Sequence, residues 1–312
     1  MTRPRILQIG KLFPATEQAL AAQYDVHLLA SEADPKAFLA REGGNFVGVA
    51  TSAGVGIDGA TIAALPNLKV ISSFGVGFDK VDVAAARARN IPVGYTPDVL
   101  NDCVADTAFG LVIDAGRRFT DADRYLRRGD WLKAPYPLAT RISGKKLGIV
   151  GLGRIGRVIA RRASGFDMEV RYHNRRPVEG VEGYEATLEG LARWADFLVV
   201  AATGGAGSRH LISREILAAL GPQGFLINIA RGTVVDEEAL IEALENKTIA
   251  GAGLDVYEDE PRVPARLIAC ENAVLLPHLA SGTRETRQAM GDLVLENLRS
   301  FFATGQVAVA VP

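Results

Sequence analysis

A chain of 312 residues, 48% hydrophobic and 23% charged, carries apolar material for two buried cores of ordinary size. Its formal net charge of -1 offers no bulk attraction to nucleic acid or to an acidic membrane surface. Two cysteines, Cys103 and Cys270, stand far apart without C-x-x-C spacing, which argues against a disulfide framework or a zinc site, and no metal is expected.

The chain opens on Met1-Thr2-Arg3-Pro4-Arg5 with no signal-peptide core. It has no apolar run long enough to span a bilayer, so a cytoplasmic protein is the expectation. Strand-like runs at residues 6–9, 25–29, 46–50 and 69–74 alternate with helical patterns around 17–22, 36–41, 59–65 and 83–89. Repeated strand–helix units predict a parallel sheet covered on both faces. Thr96-Pro97 breaks the pattern, and Asp98 is placed to cap the next helix. From about Val99 to Arg128, Val104, Ala108, Leu111, Val112 and Ala115 keep helical spacing, which predicts one long helix crossing between domains. The basic pairs Arg117-Arg118 and Arg161-Arg162 fall on helical stretches and read as solvated faces.

A second alternation begins near Lys146, with strands expected at 147–150, 169–173, 197–201, 225–229, 253–256 and 274–276. The first of these runs straight into Gly151-Leu152-Gly153-Arg154-Ile155-Gly156, and a helical pattern comes directly after. In G-x-G-x-x-G the first glycine allows a tight turn, the second lets a pyrophosphate approach the backbone, and the third lets helix and sheet pack closely. The free N–H groups of the helix N-terminus then face the phosphates. The motif alone is weak in a chain with 33 glycines; between a strand and a helix it is much stronger. Residues 283–302 are helical again and are placed to return to the first domain. The expected fold is α/β with two doubly wound parallel-sheet domains, one of them a Rossmann dinucleotide-binding domain.

A site for NAD carries a carboxylate about 20 residues past the glycines, on the ribose hydroxyls. Here the second strand ends in Asn174-Arg175-Arg176. Asparagine removes the repulsion an acid would exert on a 2′-phosphate, and two guanidinium groups can pair with it. The bland alternative is a solvated basic turn. In this context the expectation is NADP(H), with NAD(H) as a weaker substitute.

Three further residues each come just after a predicted strand, where ligands bind in open α/β sheets: Arg231, Glu260 and His278. Singly they read as a surface charge, a loop anion and a loop histidine. Together a cation, a carboxylate and an imidazole are suited to hydride transfer to a keto acid.

With these residues in place, essentially the whole chain resembles the D-isomer-specific 2-hydroxyacid dehydrogenases. The resemblance is carried by Ser73-Phe74-Gly75-Val76-Gly77-Phe78-Asp79-Lys80-Val81-Asp82, Thr96-Pro97-Asp98-Val99-Leu100, the glycine turn, and the stretches 228–232, 253–261 and 277–283. Within the family the chain is most similar to the NADPH-preferring, homodimeric glyoxylate/hydroxypyruvate reductases, the plant hydroxyphenylpyruvate reductases included. The resemblance implies a flavodoxin-like substrate domain built from residues 1–98 and 285–312, a nucleotide domain at 99–284, and an active site in the cleft between them. It implies that His278 donates a proton, that Glu260 holds the imidazole, and that Arg231 binds the substrate carboxylate and polarises its carbonyl. It further implies substrate contacts from Ala53, Gly54, the N–H groups of Val76 and Gly77, and Ser281, with Trp131 shaping the pocket. Cofactor contacts would come from Gly151 to Gly156, Asn174, Arg175, Arg176, Thr203, Ile229 and Asp255, the last orienting the nicotinamide amide or tuning the site.

Two positions depart from the pattern. Ala230 stands where many relatives have glycine, and Ala202-Thr203-Gly204-Gly205-Ala206-Gly207-Ser208 replaces a loop that usually contains proline, which predicts a more mobile loop. The function expected is NADPH-dependent reduction of glyoxylate and hydroxypyruvate to glycolate and D-glycerate. The alternatives are a reductase of bulkier aromatic 2-oxo acids and, from another class, a dinucleotide-sensing corepressor. A phosphoglycerate dehydrogenase with an appended regulatory domain is disfavoured because the sequence stops soon after the last helix, and a formate dehydrogenase because that branch pairs its histidine with glutamine.

Overall fold

The computed structural model describes residues 3–312. The chain divides into two compact units, Met1–Leu100 with Thr283–Pro312, and Asn101–Gly282.

The first unit contains strands β1 (Arg5–Gln8), β2 (Asp25–Leu28), β3 (Gly48–Ser52), β4 (Val70–Phe74) and β5 (Val93–Gly94), all parallel in the order β2-β1-β3-β4-β5. That order is flavodoxin-like, with its switch point between β1 and β3. Ile6, Leu7, Phe46, Ile62, Leu65 and Ile71 fill the core. Aspartates start three of the helices. Asp34, Asp58 and Asp82 accept the N–H groups of Ala37, Thr61 and Ala85, satisfying donors that the helix itself leaves free. The C-terminal helix Arg284–Thr304 packs on β4, where the Ser72 hydroxyl donates to the Val294 carbonyl at 3.1 Å. Asn297 is fully buried beside it, donating to the Tyr95 carbonyl and accepting the Val309 N–H. Strand β5 is only two residues long, and its apolar pattern is too short to announce it.

The second unit contains β6 (Lys146–Val150), β7 (Glu169–His173), β8 (Phe197–Val200), β9 (Phe225–Asn228), β10 (Gly251–Leu254) and β11 (Ala273–Leu275). They form a parallel sheet in the order β11-β10-β9-β8-β6-β7. A parallel bridge from Tyr172 to Tyr184 lies beyond β7. With Tyr184 counted as a third strand shrunk to one residue, the order is that of a Rossmann fold. Gly253 on β10 lets helix Asn101–Arg117 come close: a Cβ there would stand 2.9 Å from that of Leu111.

Two expectations need correcting. The single helix expected from 99 to 128 is two, Asn101–Arg117 and Phe119–Arg127. Arg118 takes a left-handed conformation between them, with φ 56°, and Asp114 accepts the Thr120 N–H at 2.8 Å to start the second helix. Asp98, at φ 69°, stands three residues before the start of the first helix at Asn101. Arg162 is not a solvated face: it is paired with Asp102 and Asp106 at 3.1 and 2.7 Å, tying helix Arg154–Ala163 to helix Asn101–Arg117. Among the described residues no helix is long and apolar enough to cross a membrane.

Candidate active site

The glycine turn leaves β6 with three glycines that have different reasons to be glycine. Gly151 has φ 99°, and a Cβ on it would stand 2.7 Å from the Ala202 nitrogen. A Cβ on Gly156 would stand 2.3 Å from the Gly151 carbonyl oxygen. Both are forced by the fold itself. Gly153 is not: its backbone is extended, and an added Cβ would meet nothing within 4 Å. No protein atom bars a side chain there, and although glycine also suits this N-cap position, the open space fits a pyrophosphate seated at the start of helix Arg154–Ala163. Arg154 is exposed and Ile155 half-buried beside it.

Asn174, the first residue past β7, accepts the Leu152 N–H at 2.7 Å. Its side chain therefore braces the glycine turn, and the Leu152 N–H is spent within the protein. Arg175 and Arg176 come next, both exposed.

Strand β9 delivers Arg231. Beyond the strand Ile229 and Ala230 are buried, and Asn228 staples the turn: its amide donates to the Arg231 carbonyl and its oxygen accepts the Ala230 N–H, both at 3.0 Å. Gly232 is pressed against Tyr257, whose carbonyl carbon would lie 1.8 Å from an added Cβ. The Arg231 turn and the Tyr257 turn are thus packed backbone to backbone. Asn228 builds the site without being visible in the sequence as a site residue. The only signal it carries is a fully polar side chain at the end of an otherwise apolar strand.

Strand β10 ends at Leu254, so Asp255 stands just past it, 1% exposed. Its two carboxylate oxygens accept the N–H groups of Leu279 and Ala280 at 2.7 and 2.9 Å. Both contacts go to the loop that carries His278, not outward. Burial pushes the Asp255 carboxyl above its ordinary value, against the pull of those two N–H groups and of His278. The Ala280 carbonyl in turn accepts from the Cys103 thiol at 3.0 Å and the Thr107 hydroxyl at 3.4 Å.

The decisive pair is His278 and Glu260. His278 Nδ1 lies 2.6 Å from Glu260 Oε2, and Glu260 Oε1 accepts the Tyr257 N–H at 3.1 Å. Burial pushes the Glu260 carboxyl up, but the hydrogen bond and charge of His278, the Tyr257 N–H and the nearby Arg231 outweigh it and hold the group below its ordinary value. Tyr257, anchored by its hydroxyl to the Leu276 carbonyl at 2.9 Å, is pushed up to about 12 by burial and by Asp255 and Glu260. The His278 side chain keeps 44% exposure, and Nε2 is the ring nitrogen that Glu260 does not hold. Arg231, Glu260 and His278 come together at the carboxyl end of the sheet, as their strand positions predict. Ser281 lies half-buried just past Ala280, and Thr203 is exposed past β8 with its carbonyl accepting the Ser208 hydroxyl.

In the first unit Ala53 and Gly54 come after β3, and Gly75, Val76 and Gly77 after β4. Gly75 has φ 146°, and a Cβ on it would stand 2.4 Å from that of Ala53, so the two loops touch. The Gly75 N–H donates to the Thr96 hydroxyl at 2.9 Å, and the Lys80 ammonium donates to the Gly54 carbonyl at 2.8 Å. Trp131 is 65% exposed, in the short turn Asp130–Leu132.

A family model of the D-isomer specific 2-hydroxyacid dehydrogenase, NAD binding domain, matches residues 109–280, more than half of the chain. The chain belongs to the D-isomer-specific 2-hydroxyacid dehydrogenase family. Hydroxyphenylpyruvate reductase from Plectranthus scutellarioides is 44% identical over 300 residues, 96% of each chain. The 2-ketogluconate reductase of Gluconobacter oxydans is 43% identical over 303 residues, again 96% of each. The crystal structure of the NADPH-dependent glyoxylate/hydroxypyruvate reductase from Sinorhizobium meliloti, in complex with NADP and malonate, is 43% identical. It superposes with a TM-score of 0.94, covering 99% of this chain and 97% of that one. The protein is accordingly an NAD(P)-dependent D-2-hydroxyacid dehydrogenase, a 2-oxo acid reductase of the glyoxylate/hydroxypyruvate reductase group. That places it among enzymes and sets the corepressor alternative aside.

Proposed function

We propose that this dehydrogenase reduces glyoxylate and hydroxypyruvate with NADPH, giving glycolate and D-glycerate. The observation that carries the chemistry is the His278–Glu260 pair beside Arg231. When bound, the reduced nicotinamide supplies hydride to the C2 carbon of the oxo acid. His278 donates the proton that the C2 oxygen needs, from Nε2, because Nδ1 is held by Glu260. Glu260 fixes the ring through Nδ1 and so sets where Nε2 faces. Arg231 pairs with the substrate carboxylate and polarises the carbonyl. The N–H groups of Val76 and Gly77 take the same carboxylate, Ala53, Gly54 and Ser281 line the substrate, and Trp131 adds an aromatic wall.

The cofactor preference rests on Asn174-Arg175-Arg176. No acid stands there to repel a 2′-phosphate, and two exposed guanidinium groups can pair with it. Gly151 through Gly156 hold the pyrophosphate, Thr203 and Ile229 flank the nicotinamide half, and NADH serves as a weaker substitute. Asp255 tunes the site through the loop it holds.

A homodimer is part of this reading. Phe119, Leu126, Trp131, Leu132 and Leu138 are all more than half exposed within twenty residues, an apolar surface that a second copy of the chain would cover. A second substrate reading, bulkier aromatic 2-oxo acids, is favoured by the similarity to hydroxyphenylpyruvate reductase over nearly the whole chain. Initial rates with glyoxylate, hydroxypyruvate, 2-ketogluconate and hydroxyphenylpyruvate, each with NADPH and with NADH, decide among them. The highest kcat/KM on hydroxypyruvate or glyoxylate with NADPH is expected; a clear preference for hydroxyphenylpyruvate would replace the substrate, not the chemistry.

A further inference from the structure

The loop after β8 has no assigned part in catalysis beyond Thr203, yet it closes over Arg231. A Cβ built on Gly204 would stand 2.6 Å from Arg231 Cγ, 3.4 Å from Cβ and 3.7 Å from Cδ. Gly204 has no positive φ, so its backbone accepts any L residue. Only the Arg231 stem excludes one. The loop is bonded within itself and tied at its far end, although its glycine content predicts mobility. The Ser208 hydroxyl donates to the carbonyls of Thr203 and Gly205 at 2.7 and 3.1 Å. Arg209 is paired with Glu258 at 2.6 Å, and the His210 N–H donates to the Thr233 carbonyl at 2.9 Å, two residues past Arg231. On the other side, the turn after Arg231 is pressed on Tyr257 through Gly232. The stem of Arg231 is therefore held between a tied loop and its own stapled turn.

An arginine side chain has four rotatable bonds and loses about 2 kcal/mol of rotamer freedom when fixed. Walls around its stem remove that freedom before substrate arrives, and a pre-set guanidinium binds a carboxylate more tightly than a roaming one. We propose that Gly204 is a positioning residue for Arg231: its missing side chain seats the arginine stem beneath the loop and sets where the guanidinium meets the oxo acid. This rests on the reading that Arg231 binds the substrate. With alanine at 204, Cγ must retreat by about 1 Å to reach ordinary carbon contact, and the guanidinium swings further at the end of the lever.

The test is a double-mutant cycle on the full-length enzyme with hydroxypyruvate and NADPH. Gly207→Ala serves as the control, because a Cβ on Gly207 meets nothing within 4 Å. Gly204→Ala is expected to raise KM for the oxo acid by about 10- to 100-fold, a 1 Å misplacement being able to cost about 10²-fold, while the Kd for NADPH by fluorescence titration stays parental. Gly207→Ala should behave as the parent. In an Arg231→Ala background, which lacks Cγ, Gly204→Ala should change neither KM nor Tm further. A parental KM in Gly204→Ala, with Arg231→Ala impaired, overturns the inference and leaves the role of Arg231 intact. So does a Gly204→Ala penalty that persists undiminished in the Arg231→Ala background, which would mean the loop acts on its own. A parental KM in Arg231→Ala alone would remove the substrate role of Arg231 and this inference with it.

Discussion

The Asp255 carboxylate accepts the Leu279 N–H at 2.7 Å, one residue past His278. Its second oxygen takes the Ala280 N–H, and His278 itself sits at φ 51°, a conformation rare for a side chain with a Cβ. The buried carboxylate clamps the loop in the shape that presents the imidazole.

Replacing Asp255 with asparagine turns an amide NH2 toward one of those two N–H groups and leaves a buried donor unpaired, at a cost of about 1–3 kcal/mol. Asp255→Asn is expected to lower both Tm and kcat while the Kd for NADPH changes little. A large rise in that Kd with unchanged kcat would instead assign Asp255 to the cofactor.

Gly151 and Gly153 separate fold from function. Gly151→Ala places a side chain on a backbone at φ 99° and against Ala202, so it should destabilise the protein by about 1–3 kcal/mol in thermal melts. Gly153→Ala meets no protein atom and should lose at most the roughly 1 kcal/mol of an N-cap change, less than Gly151→Ala, yet weaken NADPH binding by titration. Parental NADPH affinity in Gly153→Ala would move the pyrophosphate away from this turn.

For the cofactor preference, kcat/KM should be higher with NADPH than with NADH, and the double change Arg175→Ala, Arg176→Ala should narrow the gap by weakening NADPH alone. Equal use of both cofactors by the parent contradicts the assignment of this basic pair.

Glu260 gives a pH test and a rate test. Its carboxyl is held below the ordinary value, so its contribution to stability is complete above about pH 4.3, the ordinary Glu range, and is lost as pH falls through the lowered value. Glu260→Gln should remove that acid-range loss from a Tm-versus-pH curve. The same change withdraws the carboxylate that holds His278 Nδ1, so kcat for reduction should fall. A parental kcat in Glu260→Gln would leave His278 in place and end the proposed role of its partner.

Most of the second unit was legible because long apolar runs such as Leu147 to Val150 and Phe197 to Val200 sit between clear turn residues, and six strands appear where six were expected. The bridge at Tyr184 and the two-residue β5 were not legible, since one or two residues carry no period. The break at Arg118 was hidden for the opposite reason. Helix Phe119–Arg127 continues the amphipathic spacing of its predecessor, and only a left-handed arginine braced by Asp114 separates them. Arg231, Glu260 and His278 could be singled out because each comes after a strand end, and the structure brings them together. What holds them was less legible. Asp255 was singled out, but not its grip on the His278 loop, and Asn228 and Gly204 act through hydrogen bonds or close approaches that depend on which loops meet, which is a tertiary fact.

The central claim is that His278 supplies the proton in oxo-acid reduction. The direct measurement is kcat for His278→Ala with hydroxypyruvate and NADPH, alongside the Kd for NADPH. A fall of about 10²–10⁴-fold in kcat with near-parental NADPH binding is expected for a positioned acid–base group; near-parental turnover in His278→Ala would contradict the account.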